Sequence, residues 1–86
     1  MSQSTIRIRL FARLREAAGR EGFDITVPEQ GIAVGDMLRH ETTASLLGTA
    51  LTANPCLVAV NQAMAHAGDV IRAGDEVALF PPVTGG

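Results

Sequence analysis

Residues 5–12 read TIRIRLFA, a run in which apolar and charged side chains alternate. Alternation with a period of two is typical of a β-strand that buries one of its faces. We therefore predict a strand over residues 5–12. Its two faces carry different side chains: Ile6, Ile8 and Leu10 on the buried face, and Arg7, Arg9 and Phe11 on the other.

The last apolar run, residues 76–80 (EVALF), alternates in the same way. Val77 and Leu79 share one face of this predicted strand, and Glu76, Ala78 and Phe80 share the other. Three more strands are predicted between these two runs: FDITVP over residues 23–28, CLVAV over 56–60, and a short strand at most within 61–67. We predict a helical turn or a wide loop for residues 13–22, which connect the first two strands. So short a connection suits an antiparallel pair better than a parallel one.

The middle of the chain predicts helix, because two apolar sets recur there at helical spacing. The first set is Val34, Met37 and Leu38, and the second is Leu46, Leu47, Ala50 and Leu51. They indicate two short helices, or one helix that bends near Glu41. Thr42 or Thr43 is the expected cap of the second helix, and Asn54-Pro55 is expected to end it.

This order of elements predicts an α+β fold, in which one mixed sheet of four to five strands has helix packed on one face. If the first and last strands lie side by side in parallel, the arrangement is a ubiquitin-like β-grasp. The order alone also permits a ferredoxin-like layout. We place the folded domain at residues 1–80 and an extended C-terminal tail at residues 81–86.

The uncovered face of such a sheet should be polar, yet Phe11 and Phe80 both fall on it. Two readings are open: the rings cover each other or a loop, or they form an exposed apolar patch that binds a partner. Residues 44–71 favour the second reading, because Asp69 is the only charged residue among them.

Composition narrows the possible functions. The net charge of −2 and the lack of any basic stripe argue against nucleic acid as a partner. We expect Cys56 to be a buried apolar residue, and His40 and His66 to be solvated at the surface. No run of residues suggests a metal site, a catalytic group, a signal peptide or a membrane span, so we expect a cytoplasmic protein that is not an enzyme by itself.

The remaining reactive group is the C-terminal carboxylate of Gly86, which follows the segment PPVTG. Each of the two prolines fixes φ near −65°, so Pro81 and Pro82 stiffen the base of the tail. Glycine has no Cβ, so Gly85 and Gly86 can pass through a narrow site. We therefore expect the tail to be inserted into another protein.

Three segments of the chain resemble the MoaD/ThiS family of ubiquitin-like sulfur carriers, and in particular its branch in molybdopterin synthase. They are LFARLREAAG (10–19), AVNQ (59–62) and GDEVALFPPVTGG (74–86). The resemblance implies a β-grasp fold and a non-catalytic, sulfur-donating subunit of a heterotetramer. It also implies that the tail enters the large synthase subunit through Pro81, Pro82, Val83, Thr84 and Gly85.

The same resemblance implies the chemistry and the partners. Gly86 would be adenylated by an E1-like adenylyltransferase that uses ATP and Mg²⁺, and then converted to a thiocarboxylate with sulfur from a donor protein. The sulfur would pass to cyclic pyranopterin monophosphate to form the molybdopterin dithiolene, with no cofactor or metal held stably by this chain. The docking patch would be Phe11, Met64 and Phe80, and Arg15 would contact the activating enzyme or form a salt bridge with Glu16 or Glu21.

Three alternatives stay open on the sequence. The chain could carry sulfur for another pathway, such as thiamine or cysteine synthesis. It could be a ubiquitin-like modifier that forms isopeptide bonds with lysines of other proteins. It could also be an interaction domain whose end has no reaction.

Overall fold

The computed structural model describes residues 3–53 and 56–81, except for the side chains of residues 49 and 51–53. In chain order the described elements are β1 (Gln3–Leu10), α1 (Ala12–Ala18), β2 (Gly22–Pro28), β3 (Ile32–Ala33), α2 (Val34–Leu38), α3 (Glu41–Ala53), β4 (Leu57–Val60), β5 (Ala63–Met64), β6 (Val70–Ile71) and β7 (Val77–Phe80). Five of the strands form a mixed sheet in the order β2-β1-β7-β4-β5, and β3 and β6 form a separate pair.

The pairing of β1 defines the topology. β1 is antiparallel to β2, with Ile6 opposite Ile25, and parallel to β7, with Ile8 opposite Val77. The first and last strands are therefore parallel neighbours at the centre of the sheet. This confirms the predicted β-grasp and excludes the ferredoxin-like alternative.

The first strand is shifted from its predicted range of 5–12. It begins at Gln3 and ends at Leu10, because Ala12 takes a positive φ of 52° and starts α1. Phe11 lies between the two elements, and its N–H donates to the Leu79 carbonyl over 3.2 Å. The loop or turn expected after this strand is a helix of 7 residues, which ends at Gly19 in the left-handed region.

The prediction that Thr42 or Thr43 caps the second helix is wrong. α3 begins at Glu41, so both threonines lie inside it. The cap is His40 instead, because its Nδ1 accepts the backbone N–H of Thr42 over 3.2 Å and its carbonyl accepts the N–H of Ala44 over 2.8 Å. The expected stop at Asn54-Pro55 lies outside the described residues.

The core lies between the sheet and the helices. It is built from aliphatic side chains and one aromatic ring, and the inward faces of the strands meet Leu14 of α1, Met37 of α2 and Leu47 of α3. Along β1, β2, β4 and β7, every second residue points into this core: Ile6, Ile8, Leu10, Phe23, Ile25, Val27, Val58, Val77 and Leu79. Among the described residues the helices pack on this one face, and we call the opposite face of the sheet the open face. In the described part of the chain, no helix is long and apolar enough to span a membrane.

Candidate functional site

The open face of the sheet carries an apolar surface, although solvent-facing strand positions are usually polar. Leu57 lies directly opposite Phe80 where β4 pairs with β7, and Ala59 lies directly opposite Ala78. Side chains at directly opposed positions of antiparallel strands point to the same face of the sheet. Two neighbouring strands therefore place four apolar side chains together on the open face.

The two aromatic rings predicted to be close are in contact. The centroids of Phe11 and Phe80 are 5.3 Å apart, and the ring planes are tilted by 35°. The guanidinium carbon of Arg9 lies 5.7 Å from the centroid of Phe11, within the range of a cation–π contact. Phe11 nevertheless keeps 37% of its surface exposed. The rings therefore cover each other only in part.

Met64 and Leu57 extend this surface on either side of the alanines. Met64 lies opposite Ala59 on β5 and is 57% exposed, and Leu57 is 38% exposed. We call the set of Phe11, Leu57, Met64 and Phe80 the apolar patch. An exposed cluster of large apolar side chains on one face of a small domain is characteristic of an interaction site.

Sequence reasoning missed Leu57. The run CLVAV is apolar at every position, so it gives no alternation from which to assign faces. The pairing with the last strand could have revealed it. Val58 lies opposite the buried Leu79 and therefore points into the core, so its neighbour Leu57 must point to the open face.

A shallow hollow of about 180 Å³ opens within this surface. Its lining combines the rings of Phe11 and Phe80 with the small side chains of Ala59 and Ala78. Three polar side chains complete it: Arg9, Gln62 and Glu76.

A hydrogen-bond clamp holds the strands that carry the patch. The side chain of Asn61 donates to Asp75 Oδ1 over 3.1 Å and accepts the backbone N–H of Glu76 over 2.9 Å. The N–H of Asn61 donates to the Glu76 carbonyl over 2.7 Å. Asn61 belongs to the segment AVNQ and Asp75 to GDEVALF, so the clamp gives a structural reason for two of the segments that carry the family resemblance.

Asp75 is ordered further by the backbone. Its Oδ2 accepts the N–H of Arg72 over 2.8 Å. This bond, and then the bond from Asn61, lower the pKa of the Asp75 carboxyl below its ordinary value, because they stabilise the charged form. The turn that leads into β7 is therefore built around an ionised carboxylate.

The predicted contact residue Arg15 lies on α1 and is exposed. Within the described ranges the ion pairs are Arg7 with Asp24 and Arg39 with Asp36, so the alternative salt bridge of Arg15 with Glu16 or Glu21 is absent there. Its proposed contact with an activating enzyme stays a prediction.

The histidines and the cysteine differ in their surroundings. His40 was expected to be solvated, but it is half-buried, and its Nε2 also lies 3.2 Å from the Thr26 carbonyl. His66 is exposed as expected. Cys56 is half-buried against the core, and burial raises the pKa of its thiol, which disfavours the nucleophilic thiolate. In the described residues, no group of three or more His, Cys, Asp or Glu side chains could hold a metal ion.

The base of the predicted tail is the last described position. Pro81 is half-buried and follows β7 directly. The remaining tail residues lie outside the described residues: Pro82, Val83, Thr84, Gly85 and Gly86. The apolar patch, through Phe80, is therefore adjacent in the chain to the segment for which we predicted insertion.

Comparison with known proteins identifies sequence relatives over nearly the whole chain. A model of the ThiS family matches residues 8–86. The chain is also similar to the molybdopterin synthase sulfur carrier subunit of Escherichia coli, with 34% identity over 83 residues that cover 94% of this chain and 99% of the relative.

Solved structures give the same likeness in three dimensions. The crystal structure of SAMP1 from Haloferax volcanii superposes with a TM-score of 0.79 at 32% identity, covering 96% of this chain and all of the other (100%). A second structure, of small archaeal modifier protein 1 from the same organism, has a TM-score of 0.72 at 33% identity and covers 93% of this chain and 99% of the other.

Proposed function

The chain belongs to the ThiS family, and from this membership we propose that it is the sulfur carrier subunit of a molybdopterin synthase. The observation that carries the proposal is the apolar patch, which includes Phe80, the last residue of the strand that leads into the C-terminal segment. The chain that bears this patch is similar to a sulfur carrier subunit over 94% of its length. The folded part would dock on a partner, and Gly86 would carry the sulfur.

The proposed chemistry begins with activation of the Gly86 carboxylate. An α-carboxyl group has a pKa of about 3.3–3.7, so it is ionised near neutral pH and is a poor acyl donor. An E1-like adenylyltransferase would use ATP and Mg²⁺ to convert it to an acyl-adenylate, with release of pyrophosphate. In the simplest balance, hydrosulfide from a sulfur donor protein displaces AMP and leaves a thiocarboxylate on Gly86.

The second step takes place in the large subunit of the synthase. There the thiocarboxylate would give its sulfur to cyclic pyranopterin monophosphate, and hydrolysis would return Gly86 to the carboxylate. Residues 81–86 span at most ~20 Å when extended, so they can reach a site that is well separated from the patch. Two small and two large subunits would form the complex.

The apolar patch would supply the docking energy. Exposed aromatic and Met side chains are enriched at protein interfaces, and buried aromatic anchors contribute most of the binding energy there. Phe11, Met64 and Phe80 are the patch residues that the family resemblance implies, and Leu57 adds a fourth. A charged side chain introduced into this patch would lose its hydration on binding without gaining an opposite charge, which would weaken the complex.

Docking is tested with two patch variants, Phe11→Arg and Phe80→Arg. We expect each to weaken binding to the large subunit by at least about 2 kcal/mol, measured by isothermal titration calorimetry. Val70→Arg is the matched control, because Val70 is 44% exposed but lies on β6, outside the patch. Equal affinities of all three variants and the wild-type chain would remove the patch from the proposal.

Sulfur loading is tested by intact mass. The wild-type chain is incubated with an E1-like enzyme, ATP, Mg²⁺ and a sulfur donor, and we expect one oxygen to be replaced by sulfur at Gly86. A chain that lacks Gly86 should gain no sulfur but should keep its affinity for the large subunit. Loading that persists without Gly86 would refute the proposed role of this residue.

A second candidate is a ubiquitin-like protein modifier. It is favoured by the likeness to small archaeal modifier protein 1, which is as strong as the likeness to the sulfur carrier. As a modifier, activated Gly86 would form isopeptide bonds with lysines of other proteins; the chain itself contains no Lys. High-mass adducts on cell proteins would support this candidate, whereas co-purification with a molybdopterin synthase large subunit would support the first and argue against a carrier for thiamine or cysteine synthesis.

A further inference from the structure

The hollow in the apolar patch has the size of one side chain. Its volume is about 180 Å³, and an apolar protein cavity of about 150 Å³ accommodates a benzene molecule. Ala59 and Ala78 lie directly opposite each other, so their small side chains leave the space empty. The rings of Phe11 and Phe80, in contact at 5.3 Å, border the same space with apolar surface.

The hollow also carries two opposite charges. Arg9 lies beside Ala78 in the parallel pairing of β1 with β7. Glu76 directly precedes β7, two positions before Ala78, and lines the same hollow. Within the described ranges, neither side chain takes part in an ion pair. The open face has a separate pair, Arg7 with Asp24, whose atoms are 3.4 Å apart. Arg9 stacks over the Phe11 ring instead, so the charges of Arg9 and Glu76 can still form ion pairs with a bound protein.

We propose that the hollow is a socket for one bulky apolar side chain of the molybdopterin synthase large subunit. That side chain would be flanked by a carboxylate that faces Arg9 and by a cation or amide that faces Glu76. This inference rests on the proposed function, and it assigns the fit between the two proteins to the small size of Ala59 and Ala78. Two of the four patch residues, Phe11 and Phe80, border the socket, and the two alanines keep it open.

The socket makes a prediction that exposed apolar area alone does not make. Adding apolar atoms at position 78 increases the apolar area of the patch, which would strengthen a non-specific hydrophobic contact. In a socket the same atoms occupy the space of the partner's side chain, so binding is weakened. The sign of the change in affinity therefore separates the two models.

The test is a graded series at position 78, Ala78→Val and then Ala78→Leu, with Ala17→Leu as the matched control. Ala17 is exposed on α1, in the helical layer away from the open face, and does not line the hollow. Affinity for the large subunit is measured by isothermal titration calorimetry, and folding is checked by the thermal unfolding midpoint of each variant. We expect about 3- to 10-fold weaker binding for Ala78→Val, at least 10-fold weaker binding for Ala78→Leu and no change for Ala17→Leu.

Each outcome decides between the models. Unchanged or tighter binding of the folded Ala78→Val variant overturns the socket but leaves the proposed function standing. Failure of the wild-type chain to bind the large subunit overturns both. Sedimentation that shows wild-type dimers, lost in Ala78→Val, would assign the hollow to a second copy of this chain and overturn the proposed occupant.

Discussion

Thr43 is fully buried near the start of α3, and its hydroxyl has no hydrogen-bond partner among the described residues. A buried hydroxyl without a partner loses its hydration at a cost of about 1–3 kcal/mol. We expect Thr43→Val to stabilise the fold by about 1 kcal/mol, since Val keeps the shape and has a helix propensity close to that of Thr. In a domain of this size that gain raises the thermal midpoint by about 4–8 °C in calorimetry.

Thr43→Ser is the matched control for this prediction. It keeps the hydroxyl but removes a buried methyl group, and we expect a loss of about 1 kcal/mol. If Thr43→Val also lowers the midpoint, the hydroxyl makes a hydrogen bond in solution that stabilises the native state.

Asp75 makes the stability of the fold depend on pH. Its folded-state pKa is lowered by hydrogen bonds from Arg72 and Asn61, so its carboxylate contributes stability above the unfolded-state pKa of about 3.9. That contribution is lost as pH falls through the lower folded-state pKa. Asp75→Asn should cost about 0.5–1 kcal/mol at pH 7, measured by urea denaturation, because the uncharged amide accepts these hydrogen bonds less well.

The difference between wild type and Asp75→Asn should begin to narrow as pH falls below the unfolded-state pKa of about 3.9, because the unfolded chain then binds a proton at Asp75 more readily than the folded chain does. Asp69→Asn is a suitable comparison, because Asp69 also accepts a backbone N–H, that of His66 over 2.8 Å, but does not bind Asn61. A constant difference between wild type and Asp75→Asn from pH 7 to pH 3 would contradict the role assigned to the charge.

At the scale of elements, His40 joins the sheet to the helical layer. With Nδ1 accepting the Thr42 N–H, the ring is in the tautomer that carries a proton on Nε2 and donates it to the Thr26 carbonyl. One side chain thus caps α3 and satisfies a carbonyl of β2, which lies at the edge of the sheet. Covering such a group also removes one site at which another strand could pair.

Substitutions of His40 should separate these two contacts. His40→Ala loses both, and we expect a cost of about 1–2 kcal/mol in chemical denaturation. Asn is a strong helix cap but too short to reach β2 as well, so His40→Asn should cost about half as much. Equal losses in the two variants would show that the cap contributes little and that the contact with Thr26 dominates.

The elements that sequence reasoning predicted are those with a clear period. The alternation of Ile6, Ile8 and Leu10 identified β1 and its buried face, and that of Val77 and Leu79 identified β7. β3 and β6 are 2 residues each, too short for any period to be visible. The start of α3 was misplaced because His40 is not among the residues that usually cap helices, whereas Thr42 and Thr43 are.

At the scale of the whole molecule, the alternation of side chains along the first and last strands predicted that Phe11 and Phe80 share the open face. The distance of 5.3 Å between their ring centroids confirms that they are neighbours. Leu57 and the hollow could not be predicted in the same way. They depend on the register of β4 against β7, which aligns Leu57 with Phe80 and Ala59 with Ala78. Register is a property of strand pairing, and a strand that is apolar throughout specifies it weakly by its pattern.

The patch and the C-terminal glycine should act separately, and a truncated chain can test this. A chain without Gly86 cannot carry sulfur under our proposal, but its patch is intact, so it should occupy the large subunit. We expect it to inhibit molybdopterin formation by the wild-type carrier, with half-inhibition near equal concentrations of the two chains, because both would bind with similar affinity.

The control for this inhibition is the same truncated chain with Phe80→Arg. Its patch is disrupted, so it should not compete, and synthase activity should return to the level of the wild-type carrier alone. Two results would contradict the division of roles. If the truncated chain does not inhibit, Gly86 itself contributes to docking, and if the Phe80→Arg version still inhibits, the docking surface lies elsewhere on the fold.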